Sequence, residues 1–226
     1  MFEVVHADCV AHGIMESMKR LNECGKVSDR ENQSNADQCK EIQLLLEIDN
    51  VKAEPFISRC IVTDLKGLAS YDHEILDGTA DNAGWAYTYH SLYKPYLQPM
   101  IDELKRNIYT RRARLNVGEG DLLYTGDPPC LNMMLFSYVD GRLDMTIVFR
   151  SNDGVKAFPM NIHALAMLHL KVAEEVGVEP GAMHYIANNF HAYSKDWQLL
   201  DQYCKNFERM PDKRLYWSYE DIMKVL

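Results

Sequence analysis

The 226-residue chain has no surplus of positive charge: 33 acidic side chains stand against 24 basic ones, a net charge of −9. Broad nucleic-acid or anionic-membrane binding relies on clustered Lys and Arg, so neither partner is expected, and an anionic ligand has to meet a local arginine pocket. Long hydrophobic runs are missing too. The longest, such as residues 44–46 and 132–138, fall far short of the roughly 18 to 20 residues that span a bilayer. The first eleven residues carry Glu3, His6 and Asp8 where a secretory leader would place a basic stretch and an apolar core, which points to a cytoplasmic protein. The six cysteines form no CxxC pair and no short secreted framework, so they read as thiols, most of them packing. Metal-ligand spacing is absent as well: His163 and His169, six apart, fall on different faces of a helix, and no metal is expected. No internal repeat and no Pro-rich or charged block marks a linker.

What is present is an ordinary globular composition, 47% hydrophobic and 25% charged, on a length that suits one domain over residues 1–226. Residues 28–40 nearly lack apolar side chains and read as a mobile loop between a helix over 11–21 and a strand over 42–48. Further helices are expected over 64–77, with Gly78 as a stop, and over 97–104, before the pair Arg111-Arg112. The strongest local signal is a β-hairpin: residues 131–139, the turn Asp140-Gly141, then 143–150, where Leu143, Met145, Ile147 and Phe149 alternate with Asp144, Thr146 and Val148. A long amphipathic helix over 161–177 and a strand over 183–190 follow. Strands and helices without regular alternation argue an α+β fold, a mixed β-sheet packed by long helices.

Chemistry-bearing residues gather around the hairpin. Cys130 follows Pro128-Pro129, whose fixed backbone holds the thiol at a strand entrance. Arg150-Ser151-Asn152-Asp153 stands at the end of the paired strand, so Cys130 and Arg150 are expected to face one pocket, where a guanidinium favours a thiolate and grips a phosphate. Asn161 suits the N-cap of the helix behind it. His191 and Tyr193, two apart, end a strand on one side.

Together these residues resemble the thymidylate synthase family: PPC at 128–130, RSND at 150–153, FPMN at 158–161 and HAY at 191–193, with intervals of 20, 11 and 30 residues (130 to 150, 150 to 161, 161 to 191). The resemblance covers about half the chain and is similar to the compact archaeal and phage-type branch. It implies the thymidylate synthase fold, with the sheet at a homodimer interface. Cys130 would be the nucleophile that adds to C6 of the pyrimidine, making C5 nucleophilic toward a one-carbon donor, 5,10-methylenetetrahydrofolate. Arg150 and Ser151 would hold the phosphate of a pyrimidine nucleoside monophosphate, and Arg111 and Arg112 would reach that of the other subunit. Asp153 and Trp85 would meet the folate. Asn161 would read the O4/N3 edge, and because relatives acting on cytosine carry aspartate there, it favours a uracil base, dUMP. His191 and Tyr193 would bind the sugar, and Tyr89, otherwise ordinary aromatic core, would assist proton removal from C5.

The chain also departs from the family pattern. Leu131 follows the cysteine where histidine is common, and Arg30 matches the N-terminal phosphate arginine only loosely. The family's catalytic glutamate, on the helix before Gly78, is assigned here to Glu74, although a gapless match through Leu76-Asp77-Gly78 would put Tyr71 there. The tail, residues 209–226, is short and does not show the family's usual closing strand, with 223–226 as a small apolar lid. Reductive methylation to dTMP is placed ahead of 5-hydroxymethylation of dUMP, dCMP or CMP, in which water replaces hydride. A third reading is a non-catalytic homologue that binds a pyrimidine nucleotide or its own messenger RNA; the intact cysteine argues against it, and an activated Cys130 thiol whose reactivity dUMP protects discriminates, since a binding-only relic needs no activated thiol.

Overall fold

The computed structural model describes residues 1–29, 38–82, 84, 87–117, 128–209 and 213–225. In chain order its strands are β1 (Glu3–Ala7), β2 (Lys26–Ser28), β3 (Cys39–Ile48), β4 (Ile57–Ser58), β5 (Arg114–Asn116), β6 (Leu131–Val139), β7 (Arg142–Phe149), β8 (Asn152–Asp153), β9 (Glu179–Tyr193) and β10 (Tyr216–Trp217). The helices are α1 (Val10–Cys24), α2 (Leu65–Ile75), α3 (Tyr89–Arg106), α4 (Phe158–Val176), α5 (Trp197–Phe207) and α6 (Tyr219–Met223).

Among the described residues one mixed sheet runs β1-β3-β9-β7-β6-β5, with β2 paired to β3 and β8 to β9. Its register sorts side chains into rows, because a period of two sends neighbours to opposite faces. One row, Val5, Leu46, Tyr185, Ile147, Met134 and Leu115, is buried from edge to edge. The adjacent row, Val4, Leu45, Ile186, Val148 and Met133, is apolar too but lies half-buried or exposed on the other face. Helices α1 and α4 pack over the first face, on β3 and β9. Each aliphatic side chain fully buried there contributes about 1.5 to 3 kcal/mol, which fixes the register that positions the strand ends.

The hairpin forms as its sequence predicts. Asp140 and Gly141 both take positive φ, 49° and 84°, the turn that matches strand twist, and Val139 pairs with Arg142. Gly177 ends α4 in the left-handed region at φ 85°, its N–H on the Ala173 and Glu174 carbonyls.

Three expectations are corrected. Asn161 is not the N-cap of α4: the cap is Ala157, Pro159 occupies the first turn, where its missing N–H costs nothing, and Asn161 donates its backbone N–H to Ala157. Helix α3 starts eight residues before the expected boundary, at Tyr89, because Thr88 and Ser91 form a reciprocal capping box and the buried face of Tyr93, Met100, Ile101 and Leu104 outweighs Pro95 and Pro99 inside the helix. The C-terminal segment does carry a strand, β10, paired with β4, after which α6 sets the Tyr219 ring edge-on to Phe56 at 5.2 Å.

Candidate functional site

Cys130 lies half-buried at the mouth of β6, one residue before a skip in register that pairs Leu131 with Phe149 and Met133 with Val148. Such a bulge re-aims the strand end where it occurs. Arg150 ties the mouth shut: its backbone N–H donates to Cys130 O at 2.9 Å, Nε to Pro129 O at 3.0 Å and Nη2 to Pro128 O at 2.5 Å. The sequence placed this guanidinium on a phosphate; the structure gives it a second duty, holding the turn that presents the thiol. Among the described residues two of its five N–H donors are spent there, and the exposed side chain keeps three for an anion.

The opposite wall comes from α2 and α4. Tyr71 donates its hydroxyl to Asn161 Oδ1, and one residue along α2 and two along α4, buried Asp72 Oδ2 and His163 Nε2 pair at 3.1 Å. Burial raises the phenol of Tyr71, with the charges of Tyr89, Glu74, Cys130 and Asp72 pushing the same way. Tyr89, first residue of α3, is raised by burial and by Cys130 and Tyr87, a shift that a Leu131 backbone hydrogen bond and Arg150 partly oppose. Tyr185, whose hydroxyl accepts from Asn152 Nδ2, is raised by burial and by Tyr89, Tyr71 and Cys130. Three phenols thus act on one another and on one thiol, and all three stay protonated at neutral pH. Glu74, one turn beyond Tyr71, has its carboxyl raised by burial, yet no hydrogen bond joins it to Asn161 among the described residues.

The third side is the end of β9. His191 pairs with Asp153 in the parallel β8–β9 ladder, Ser151 Oγ lies 3.4 Å from His191 Nδ1, and the rings of His191 and Tyr193 meet edge-on at 4.8 Å. Burial lowers the His191 imidazole, against the opposing pull of Asp153 and Glu41. Asp153 Oδ1 accepts from the backbone N–H groups of Val155 and Lys156 at 2.9 and 3.0 Å, shaping the approach to α4 and leaving Oδ2 outside that turn. Arg111 and Arg112 are exposed after α3, and no hydrogen bond links them to Cys130, Arg150 or Asn161 among the described residues. Arg30 and Trp85 lie outside the described residues.

The family model described as thymidylate synthase matches residues 87–224, more than half the chain. The chain belongs to the thymidylate synthase family. A protein of Methanosarcina barkeri named for thymidylate synthase is 23% identical over 212 residues, covering 89% of this chain and 94% of its own. One from Methanocaldococcus jannaschii is 26% identical over 210 residues, 86% of this chain and 92% of its own. A deoxyuridylate hydroxymethyltransferase of Pseudomonas phage M6 is 35% identical over 125 residues, 53% of this chain and 36% of its own. Members of the family are transferases that act on pyrimidine nucleotides, generally with methylenetetrahydrofolate, so an enzyme of this type is established. Within the family frame, sequence reading weighed Tyr71 but passed over it, and it missed the Asp72–His163 and Asn152–Tyr185 pairs. Their partners are 91 and 33 residues apart, and no local pattern announces them.

Proposed function

We propose that this protein transfers a one-carbon unit to C5 of dUMP through a covalent Cys130 adduct at C6, with reductive methylation to dTMP as the outcome. The observation that supports it most is the meeting of Cys130, Tyr89 and the Tyr71–Asn161 pair at one strand mouth closed by Arg150. Cys130 attacks C6 as a thiolate and the electron pair of the C5–C6 bond moves to C5 and O4, giving an enolate whose C5 bonds the one-carbon unit. Asn161 faces the O4/N3 edge, Nδ2 toward O4 and Oδ1 toward N3–H. Tyr89, held neutral by burial, relays the C5 proton away, and expulsion of Cys130 at the end restores the C5–C6 double bond. Arg150 and Ser151 take the phosphate, His191 and Tyr193 the sugar hydroxyl, with Arg30 as a further phosphate arginine and Glu74 as the carboxyl that orders water.

Methylenetetrahydrofolate supplies the one-carbon unit and then, as tetrahydrofolate, the hydride. The donor set fits such a group, since the Asp153 oxygen left outside its turn is an acceptor suited to pterin N–H groups; Trp85 is assigned to the folate as well. Hydroxymethylation is the second reading, supported by the similarity to the phage enzyme: water in place of hydride at the exocyclic carbon gives the 5-hydroxymethyl nucleotide.

The same reading makes residues 1–226 one catalytic unit working as a homodimer. Val4, Leu45, Ile186, Val148 and Met133 form an apolar stripe across the sheet face away from α1 and α4, which a second copy would cover, bringing Arg111 and Arg112 to the partner's nucleotide.

Mass spectrometry of the product from dUMP and methylenetetrahydrofolate tests the reaction. A methylated nucleotide with dihydrofolate is expected; a hydroxymethylated one with tetrahydrofolate moves the protein to the second reading. Cys130→Ala is expected to abolish turnover and keep dUMP binding, and turnover by that variant would overturn the proposal.

A further inference from the structure

An amide such as Asn161 is ambiguous by itself. With Oδ1 toward N3 and Nδ2 toward position 4 it matches uracil, which offers an N3–H donor and an O4 acceptor; rotated by half a turn it matches cytosine, which offers the N3 acceptor and a 4-amino donor. Selectivity for one base therefore needs something that forbids the rotation.

The chain carries such a device on α2. The Tyr71 hydroxyl donates to Asn161 Oδ1, and among the described residues that oxygen is its hydrogen-bond partner. Asn161 is buried, and its Nδ2 has no partner among the described residues, so that nitrogen is the donor left for a ligand. A carbonyl oxygen has two lone pairs: one takes Tyr71, the other remains for N3–H. Rotating the amide would turn Nδ2 toward the phenol, and the Tyr71 proton would lose its acceptor in a site from which a bound nucleotide excludes water. The Asp72–His163 pair, one residue further along α2 and two along α4, keeps α2 from sliding on α4, so Tyr71 cannot follow the rotation.

We propose that Tyr71 is the specificity-determining residue of this site: it locks the Asn161 amide in the orientation that accepts a 4-oxo pyrimidine and rejects a 4-amino one. The inference rests on the assignment of Asn161 as the base reader made above. Tyr71 works through Asn161 and is a positioning residue, so a chemical role in the one-carbon transfer is not required of it.

Equilibrium binding of dUMP and dCMP, without folate, tests this on the wild type, Tyr71→Phe, Tyr71→Met, Asn161→Ala and the double variant Tyr71→Phe/Asn161→Ala. The wild type is expected to prefer dUMP strongly. Losing the hydroxyl in either Tyr71 variant is expected to cut the dUMP:dCMP affinity ratio about tenfold, equivalent to about 1.4 kcal/mol. A purely structural role would weaken both nucleotides alike and leave the ratio in place, so a ratio within twofold of wild type in both variants overturns the lock. In the Asn161→Ala background the further change at Tyr71 should not move the ratio; a shift there would mean that Tyr71 reads the base directly, and would overturn it too. A wild type that binds neither nucleotide overturns the reading of the site and the inference with it, whereas tight dUMP binding with an unmoved ratio overturns the inference alone.

Discussion

The buried pair Asp72–His163 joins α2 to α4 behind the Tyr71–Asn161 contact. Both side chains are within 1% of complete burial, they share one contact of 3.1 Å, and Asp72 Oδ1 and His163 Nδ1 have no partner among the described residues. Asp72→Leu would leave an imidazole buried with neither nitrogen paired. An unsatisfied neutral polar group costs about 1 to 3 kcal/mol, and a buried charge stripped of its partner about 3 to 5. An expected loss of about 3 kcal/mol corresponds to a melting temperature lower by roughly 6 to 12 °C for a chain of this size. The double variant Asp72→Leu/His163→Phe removes both polar groups and places a second ring beside Phe56, whose ring already meets His163 edge-on at 5.8 Å. It should therefore recover most of the loss and end within about 1 kcal/mol of wild type, because replacing a buried pair by packed apolar groups is close to neutral. Urea unfolding at one fixed protein concentration measures all four members of the cycle. Additive losses in the double variant would refute the argument, since they would mean that each residue is held by contacts other than the pair.

Two further predictions follow from other buried groups. His169, with Nε2 donating to the Leu143 carbonyl at 2.6 Å, has its pKa lowered by burial to about 4, while the unfolded chain titrates near 6.5. The unfolded state thus binds the proton first, stability falls as pH drops from 6.5 toward 4, and urea titrations at pH 7 and 4.5 should show about 2 kcal/mol lost by wild type but kept by His169→Gln. An equal loss in the variant would remove His169 from the account. Thr88 caps α3 by accepting from the Ser91 N–H at 3.0 Å and donates its hydroxyl to Asp81, so Thr88→Ala should cost about 1 to 2 kcal/mol and lower kcat through Tyr89, the first helical residue. Thr88→Ser should restore both, and a Ser variant as impaired as the Ala one would show that the cap is not the cause.

The parts of the fold that sequence reading recovered are those whose physics is local. In the β6–β7 hairpin, period-two alternation and the Asp140-Gly141 turn lie within twenty residues of each other, and the end of α4 needs only Gly177. The start of α3 was hidden because Pro95 and Pro99 argue against a helix locally, while the burial that overrides them belongs to the assembled core. Strand β1 was hidden for the opposite reason: five residues with two charged or titratable side chains carry too little pattern, and its place comes from pairing with β3. The Asn161 cap failed because a polar side chain before an apolar run looks the same whether it caps the helix or stands in its first turn facing a site.

That last failure separates what the site inherits from motif spacing and what it adds by folding. Cys130, Arg150, Asn161 and His191 sit at strand mouths and on the first turn of α4, and intervals along one stretch of chain were enough to connect them. Tyr71 reaches Asn161 across 90 residues, and only the packing of α2 on α4 makes them neighbours. In the proposed function the thiol and its proton relay therefore stand on the hairpin and α3, whereas the amide proposed to read the base takes its hydrogen bond from α2. Substitutions at Cys130 or Tyr89 should then alter turnover with base choice intact, and substitutions at Tyr71 should alter base choice in binding. A Tyr71 variant that lost turnover of dUMP while keeping its full preference over dCMP would break that division, and would place Tyr71 with Tyr89 in the handling of protons.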